Sequence, residues 1–203
     1  MPTIGIMGGT FDPIHYGHLI IAEESRREFC LDKVLFVPAG IPAHKKGYPI
    51  TDIEHRYAMT VIATASHTDF ICSRMEIERP GPSYAIDTIR AVKAAYSPDT
   101  LIYFITGVDA IAEILTWHQH DKLKDLCKFI AATRPGFHLE DLRDQLPPDY
   151  LDQIVFLEVP GVHISSTELR ERVAMGNPIK YMVPEAVAIY IEKHKLYRTN
   201  EKS

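Results

Sequence analysis

Gly8–His18, with the sequence GGTFDPIHYGH, is the segment that decides the fold of this 203-residue chain. A short apolar run, Ile4–Met7, precedes it, and an amphipathic stretch that begins at Leu19 follows it. This order predicts a strand, a glycine-rich turn and a helix. Glycine lets the backbone approach a ligand closely, and a helix N-terminus presents unpaired N–H groups and a positive dipole end. The segment therefore predicts a phosphate-binding turn.

Two histidines close this segment. His15 and His18 are three positions apart, so they fall on roughly one face of the predicted helix, where both imidazoles can donate to phosphate oxygens. The alternative is that they are only surface or helix-capping side chains. The segment lacks the Gly-Lys-Ser/Thr of a Walker loop and the G-x-G-x-x-G of a dinucleotide site, and zinc is excluded because no third ligand lies nearby. We predict a site for a nucleoside triphosphate.

The composition is that of an ordinary globular protein. Hydrophobic residues make up 46% of the chain and charged residues 24%, which predicts one domain over residues 1–203 with a C-terminal helical portion from about residue 165. The net charge of −5 argues against a general nucleic-acid-binding surface. We expect no membrane partner, because no apolar run approaches a membrane span. Widely spaced Cys30, Cys72 and Cys127 predict free thiols and a cytoplasmic protein.

Short β-branched runs alternate with helical patterns along the chain. The alternation predicts an α/β fold with a doubly wound, mostly parallel sheet, whose ligands bind beyond the carboxyl ends of the strands. The predicted strands are Thr3–Met7, Lys33–Val37, Phe70–Met75, Leu101–Ile105, Phe129–Thr133 and Ile154–Val159. The predicted helices are Gly17–Cys30, Asp52–Ser66, Tyr84–Tyr96, Asp109–Leu115, His120–Leu126, Ser166–Ala174 and Glu185–His194.

A second polar segment, Ile164–Arg170, has the sequence ISSTELR. Ser165 and Glu168 match a capping box, which on its own explains the hydroxyl residues as the start of a helix. Two hydroxyl residues and Arg170 also add donors and a guanidinium to that helix start, which suits an anion. Both interpretations stay open from this segment alone.

The two segments together resemble the nucleotidyltransferase superfamily, whose members carry a His-x-Gly-His motif and a later Ser-Ser/Thr-x-x-Arg-like motif. Within it the chain is similar to the bacterial nicotinate-nucleotide adenylyltransferases along almost its whole length. The segments that carry this closer similarity are Ile41–Lys45, Gly81–Tyr84 with Asp87-Thr88, Gly107–Asp109, Trp117 and Arg134–Gly136. The resemblance implies a Rossmann-like nucleotidyltransferase fold.

The resemblance also implies an activity. It is the transfer of AMP from ATP to nicotinate mononucleotide, with Mg²⁺ accompanying ATP, to form nicotinate adenine dinucleotide and pyrophosphate in NAD biosynthesis. The attacking group is an ionised phosphate, so positioning and charge stabilisation matter more than a strong base. We expect His15, His18 and Arg170 to be catalytic, with His18 the most sensitive. The other expected ATP-binding residues are Gly8, Gly9, Thr10, Phe11, Gly107, Asp109, Ile164, Ser165, Ser166 and Thr167.

The acceptor nucleotide needs a flat surface and polar partners. By the resemblance, its expected binding residues are His44, Lys45, Tyr84, Ala85, Trp117 and Arg134. Trp117 is expected to stack on the nicotinate ring, the alternative being a core anchor. Asp109 has the alternative role of capping the next helix. Ala85 stands where the family commonly has threonine, so recognition of the carboxylate there falls to backbone N–H groups.

Other functions remain as alternatives. A related small adenylyltransferase would use nicotinamide mononucleotide or phosphopantetheine as acceptor, and Trp117 with the Gly81–Tyr84 segment argues against the latter. A regulator that binds nucleotide without turnover is disfavoured by the intact motif residues. A class I aminoacyl-tRNA synthetase is disfavoured by the net acidity and the absence of a second large domain. A homo-oligomer stays open.

Overall fold

A parallel sheet of six strands forms the centre of the computed structural model, which describes residues 1–43, 49–133, 142, 145–161 and 163–198. The bounds of its strands are Thr3–Gly9 (β1), Lys33–Pro38 (β2), Phe70–Cys72 (β4), Leu101–Gly107 (β6), Lys128–Thr133 (β7) and Ile154–Glu158 (β8). Their spatial order across the sheet is β4-β2-β1-β6-β7-β8. Ile41–Pro42 (β3) and Pro82–Ser83 (β5) form a separate two-stranded parallel pair.

Helices connect the strands. Their bounds are Tyr16–Glu28 (α1), Ile53–Thr64 (α2), Ala85–Ala95 (α3), Val108–Ala112 (α4), His120–Leu123 (α5), Pro148–Leu151 (α6), Ser166–Ala174 (α7) and Glu185–Lys193 (α8). A 3₁₀ turn, Ile114–Thr116, follows α4. No helix in the described part of the chain is both long enough and apolar enough to span a membrane.

The sheet is doubly wound, as predicted. The chain builds β1, β2 and β4 outward in one direction and then returns to add β6, β7 and β8 on the other side of β1. The order therefore reverses between β1 and β6, which pair in parallel register from Thr3 with Leu101 to Met7 with Ile105. In such sheets the crevice beyond this switch point is the usual ligand site. The two strands end at Gly9 and Gly107.

Two apolar clusters cover the two faces of the sheet. One contains Ile4 and Ile6 of β1 with Ile86 and Ile89 of α3, and the other contains Met7 and buried residues of α1, α2, α7 and α8. Strands covered on both faces are apolar along most of their length, which explains the continuous β-branched runs in the sequence. The two clusters hold the carboxyl edge of the sheet in place on both sides.

Some element boundaries differ from the predictions. The strand predicted over Phe70–Met75 ends at Cys72, because the chain turns at Arg74, whose carbonyl accepts the N–H groups of Ile77 and Glu78. The helices predicted after Gly107 are shorter than expected and are interrupted by the 3₁₀ turn. The β3–β5 pair and α6 were not predicted, because their proline residues are typical of turns.

Candidate active site

A cavity of about 350 Å³ opens beyond the ends of β1 and β6, where the strand order reverses. Gly8, Gly9 and Thr10 line one side, and Phe104 and Thr106 line another. The remaining lining residues are Ala39, Pro42, Ala43, Glu76, Ser83, Tyr84, Ala85, Ala110, Glu113, Thr116, Trp117 and His118. The cavity therefore joins the predicted phosphate-binding turn to three residues predicted to bind the acceptor nucleotide, Tyr84, Ala85 and Trp117.

The two histidines pack against each other at the start of α1. Their ring centroids are 3.8 Å apart, and His18 Nδ1 accepts the backbone N–H of His15 at 3.2 Å. In a neutral His18 ring the proton then lies on Nε2. A β-carbon at Gly17 would lie 3.0 Å from the His15 ring, so the glycine between them permits this close packing.

His15 is the more buried of the pair. Only 6% of it is exposed, and burial lowers its pKa to about 4. Its Nδ1 is buried with no hydrogen-bond partner within the described residues. At neutral pH the ring is uncharged, so it offers one N–H group and one acceptor nitrogen rather than a cation.

Phe11 supports His18 instead of facing the cavity. Its side chain is buried, and its ring meets the His18 ring edge-on with the centroids 5.1 Å apart. The backbone at Phe11 has a φ of 49°, in the left-handed region. Any contact of Phe11 with ATP would therefore be made by its backbone, whereas the sequence prediction did not separate backbone from side chain.

The second polar segment lies against the first. Ser166 Oγ donates to the carbonyl of Pro13 at 2.9 Å across 153 residues of sequence. Arg170 Nη1 donates to the carbonyl of Asp12 at 2.8 Å, and Arg170 Nη2 donates to Thr167 Oγ1 at 3.4 Å. The structure thus brings the two motifs together through hydrogen bonds that the motifs alone did not predict.

The start of α7 also satisfies the capping interpretation. Ser165 Oγ accepts the backbone N–H of Glu168 at 3.1 Å, so this hydroxyl caps the helix. Ile164, just before it, is partly buried and packs against the second apolar cluster. The capping and anion-binding interpretations are compatible, because they use different groups of the same helix start.

Aromatic side chains form the far wall of the cavity. Trp117 packs edge-on against Phe104, with ring centroids 5.7 Å apart, and is only partly buried. Tyr84 stacks on His118 with centroids 4.3 Å apart. Trp117 thus contacts the core through Phe104 and also lines the cavity, so its expected stacking on the nicotinate ring stays a prediction.

The remaining predicted residues fall in two groups. Gly107 precedes α4 as its N-cap and Asp109 is exposed in its first turn; neither lines the cavity, although their neighbours Thr106 and Ala110 do. The other predicted residues, His44, Lys45 and Arg134, lie outside the described residues.

Two buried charged residues near the cavity were not predicted. Glu76 lines the cavity, is 6% exposed and bonds to the Thr88 hydroxyl, and burial raises the pKa of its carboxyl. Arg56 on α2 is 2% exposed, and its partners among the described residues are all backbone carbonyls. Neither belongs to a recognisable sequence motif, and a charge at a helix or loop position ordinarily indicates a solvated surface.

A doubly wound sheet with a histidine-bearing turn at its switch point defines a nucleotide-binding protein of the Rossmann-like nucleotidyltransferase class. The family model described as Cytidylyltransferase-like matches residues 6–172. Similar proteins indicate the branch of this class to which the chain belongs. The chain is 57% identical over 198 residues to a protein of Moorella thermoacetica described as a probable nicotinate-nucleotide adenylyltransferase, covering 96% of this chain and 91% of that protein.

A Thermoanaerobacter protein with the same description is 51% identical over 203 residues, covering 98% of this chain and 96% of that protein. The chain therefore belongs to the Cytidylyltransferase-like family, within its nicotinate-nucleotide adenylyltransferase branch.

Solved structures show the same fold. Plasmodium falciparum nicotinic acid mononucleotide adenylyltransferase complexed with NaAD aligns with a TM-score of 0.79 at 23% identity, covering 97% of this chain and 98% of that chain. A nicotinate-nucleotide adenylyltransferase from Vibrio parahaemolyticus, described as putative, aligns with a TM-score of 0.71 at 16% identity and covers 98% of both chains. These likenesses confirm the predicted fold class.

Proposed function

We propose that this chain transfers AMP from ATP to nicotinate mononucleotide, releasing pyrophosphate and forming nicotinate adenine dinucleotide for NAD biosynthesis. The single observation that carries the proposal is the cavity at the switch point. It has the phosphate-binding turn of Gly8–Thr10 at one side and Trp117 with Tyr84 at another, so one cleft joins a site for phosphate to an aromatic surface for a nucleotide ring. The branch to which the chain belongs supports the same acceptor.

In this reaction a phosphate oxygen of nicotinate mononucleotide attacks the α-phosphorus of ATP. The new P–O bond forms as the bond from that phosphorus to the bridging oxygen of the departing pyrophosphate breaks. The attacking phosphate is largely ionised at neutral pH because its second pKa is about 6, so it needs no strong base. The protein's task is to align the two groups and stabilise the charge that develops.

The proposed charge-stabilising groups surround the Gly8–His18 segment. The imidazoles of His15 and His18 donate N–H groups to the triphosphate, and their stacking keeps them in one orientation. Arg170 supplies positive charge, and its bond to the Asp12 carbonyl holds the guanidinium in place beside the turn. Charge-assisted bonds of this kind are roughly twice as strong as neutral ones.

Tyr84 and Ala85 are the proposed recognition residues for the nicotinate carboxylate. Tyr84 is the N-cap of α3, and Ala85 is its first residue. A helix start of this kind presents backbone N–H groups and a positive dipole end to an anion. Carboxylate binding then does not need the hydroxyl that Ala85 lacks, and Trp117 provides the flat surface for the ring.

Magnesium is proposed to enter with ATP. The described residues contain no group of three or more His, Cys, Asp or Glu side chains placed to hold a metal ion. Mg²⁺ is commonly held by substrate phosphates and water with few protein ligands, which fits this donor set. When bound, the ion would neutralise phosphate charge, while the chain's own donors orient the triphosphate.

We propose the cytoplasm as the site of this activity. Cys30, Cys72 and Cys127 are free thiols, as the sequence predicted, and burial raises the pKa values of Cys72 and Cys127 to about 12. These two thiols therefore stay protonated and unreactive at neutral pH. The arrangement suits a reducing compartment.

A side-by-side assay of pyrophosphate release tests the proposed function. Purified protein is given ATP and Mg²⁺ with nicotinate mononucleotide, nicotinamide mononucleotide or phosphopantetheine. We expect the highest kcat/KM with nicotinate mononucleotide. Preferred turnover of phosphopantetheine would assign the chain to the related adenylyltransferase, and binding of ATP without turnover of any acceptor would indicate a regulator.

A further inference from the structure

Asp12, Arg56 and Tyr197 form a buried polar cluster, here called the Arg56 cluster. It lies against the Gly8–His18 segment, to which Asp12 itself belongs. Arg56 reaches it from α2, and its guanidinium donates to four backbone carbonyls. These are the carbonyls of Thr10 at 2.8 Å, Ala39 at 2.8 Å, Thr51 at 2.9 Å and Gly40 at 3.2 Å. Thr10 follows β1, and Ala39 follows β2, so one side chain bonds both loops that border the cavity.

The loop after β2 packs closely against the chain that follows β4. A β-carbon at Gly40 would lie 2.4 Å from the carbonyl oxygen of Glu76, so the backbones approach as closely as glycine allows. Arg56 and Asp12 are 2% and 3% exposed, and the nearby carboxylate supports the buried charge. Buried charged groups with all their partners present hold surrounding backbone in one geometry.

Asp12 connects this cluster to the rest of the site. Its carboxylate accepts the Tyr197 hydroxyl at 2.8 Å through Oδ1 and the Thr51 N–H at 3.2 Å through Oδ2. Its backbone carbonyl accepts Arg170 Nη1 at 2.8 Å. The residue is three positions before His15, so its placement also sets where the histidine-bearing part of the turn begins.

Tyr197 comes from the far end of the chain, after α8. Its backbone has a φ of 63°, and its ring packs against the second apolar cluster, so the hydroxyl is directed to Asp12 by the path of the chain and by packing. Burial raises the pKa of this hydroxyl, which keeps it protonated as a donor. Within the described residues, no other side chain donates a hydrogen bond to the Asp12 carboxylate.

We propose that Tyr197 is a positioning residue for AMP transfer, which acts by fixing the Asp12 carboxylate and with it the turn that carries His15 and receives Arg170. This inference rests on the proposed function. The hydroxyl does not touch the reacting groups, so its loss lowers the fraction of bound substrate held in reactive alignment. The acceptor is proposed to bind at Trp117 and Tyr84, so its affinity should depend little on the Tyr197 hydroxyl.

Tyr197→Phe tests the proposal, with Tyr190→Phe as the matched control. Tyr190 on α8 also forms one side-chain hydrogen bond, to His55 Nδ1 at 3.0 Å, but it has no bond to the turn. Both variants lose one hydroxyl and keep the ring. We expect Tyr197→Phe to lower kcat by about tenfold or more, as small misalignments of reacting groups do, and to leave KM for nicotinate mononucleotide within about twofold.

Measurements are made well below the melting temperatures of both variants, so that a stability difference does not contribute. Hydrogen exchange of residues 10–15 provides a readout apart from turnover: Tyr197→Phe is expected to accelerate it, and Tyr190→Phe is not. Equal kcat values, equal exchange rates, or loss of cooperative unfolding in Tyr197→Phe would each overturn the positioning role. Absence of turnover in the unsubstituted protein would instead refute the proposed function, while the exchange comparison would still test the link from Tyr197 to the turn.

Discussion

His18 carries the most direct test at the scale of a single residue. Its Nδ1 accepts the backbone N–H of His15, which fixes the orientation of the ring, and the proposed function makes His18 a donor to the triphosphate. His18→Ala is expected to lower kcat by about a hundredfold or more, the usual cost of removing one donor to a developing charge. Steady-state pyrophosphate release checks this, together with thermal unfolding, in which the loss of the partner of the His15 N–H should lower Tm by only about 2–4 °C.

The control for His18 is His67→Ala. His67 also stacks on an aromatic ring, that of Phe70, with the centroids 3.9 Å apart, but it precedes β4 and so lies at the amino edge of the sheet, opposite the Gly8–His18 segment. This variant should retain its kcat. A His18→Ala protein with unchanged turnover would refute the charge-stabilising role.

Substitution of Trp117 tests the proposed binding surface for the nicotinate ring, also at the residue scale. Stacking of an aromatic side chain on a base is worth about 1–3 kcal/mol, so Trp117→Ala should raise KM for nicotinate mononucleotide by about tenfold or more. KM for ATP should change less. Trp117→Phe keeps a flat ring and should recover most of the affinity. An effect confined to ATP would contradict stacking.

At the scale of elements, the contact between the Gly8–His18 turn and the start of α7 is the feature that joins the two motifs. Ser166→Ala leaves the Pro13 carbonyl without its partner, which costs about 1 kcal/mol and lowers Tm by about 2–4 °C in a protein of this size. Because α7 also carries Arg170, we expect kcat to fall as well. Calorimetry and turnover assays check the two effects.

Thr64→Val is the matched control for this element. Thr64 Oγ1 donates to the Thr60 carbonyl at 2.8 Å within α2. The substitution therefore also removes one hydrogen bond from a hydroxyl to a carbonyl, but at a place away from the Gly8–His18 segment. It should lower Tm without a comparable loss of kcat. Equal losses of turnover in both variants would show that the Ser166 contact contributes stability alone.

At the scale of the whole molecule, burial of His15 links the stability of the fold to pH. The unfolded His15 binds a proton below about pH 6.5, whereas the folded residue does so only below about 4, so acid favours the unfolded chain. The contribution of the uncharged His15 to the free energy of unfolding is therefore complete above about pH 6.5 and is lost as the pH falls toward 4. Each pKa unit corresponds to 1.36 kcal/mol, so the full loss is about 3 kcal/mol.

Urea unfolding at several pH values between 7 and 4 measures this loss. His15→Gln removes the titrating group, so its stability should depend less steeply on pH over the same interval. Parallel curves for the two proteins would show that His15 does not titrate with a lowered pKa.

The sequence predicted most elements because each depends on neighbouring residues. All six strands of the central sheet and the long helices were placed within a few residues, and the doubly wound order follows from their alternation. The β3–β5 pair was not predicted, since two-residue strands containing Pro42 and Pro82 have no periodic pattern. The strand end at Cys72 depends on a turn at Arg74 that apolar character alone does not reveal.

The sequence by itself determined the class of this protein, since the glycine-rich turn, His15, His18 and the ISSTELR segment are local patterns with a chemistry of their own. Only the tertiary structure decided which groups hold those patterns in place. Arg56, Asp12 and Tyr197 meet across more than one element, and the pKa of His15 depends on burial by distant segments. Hydrogen-bond partners and desolvation are properties of the packed chain, so no reading of neighbouring residues can supply them.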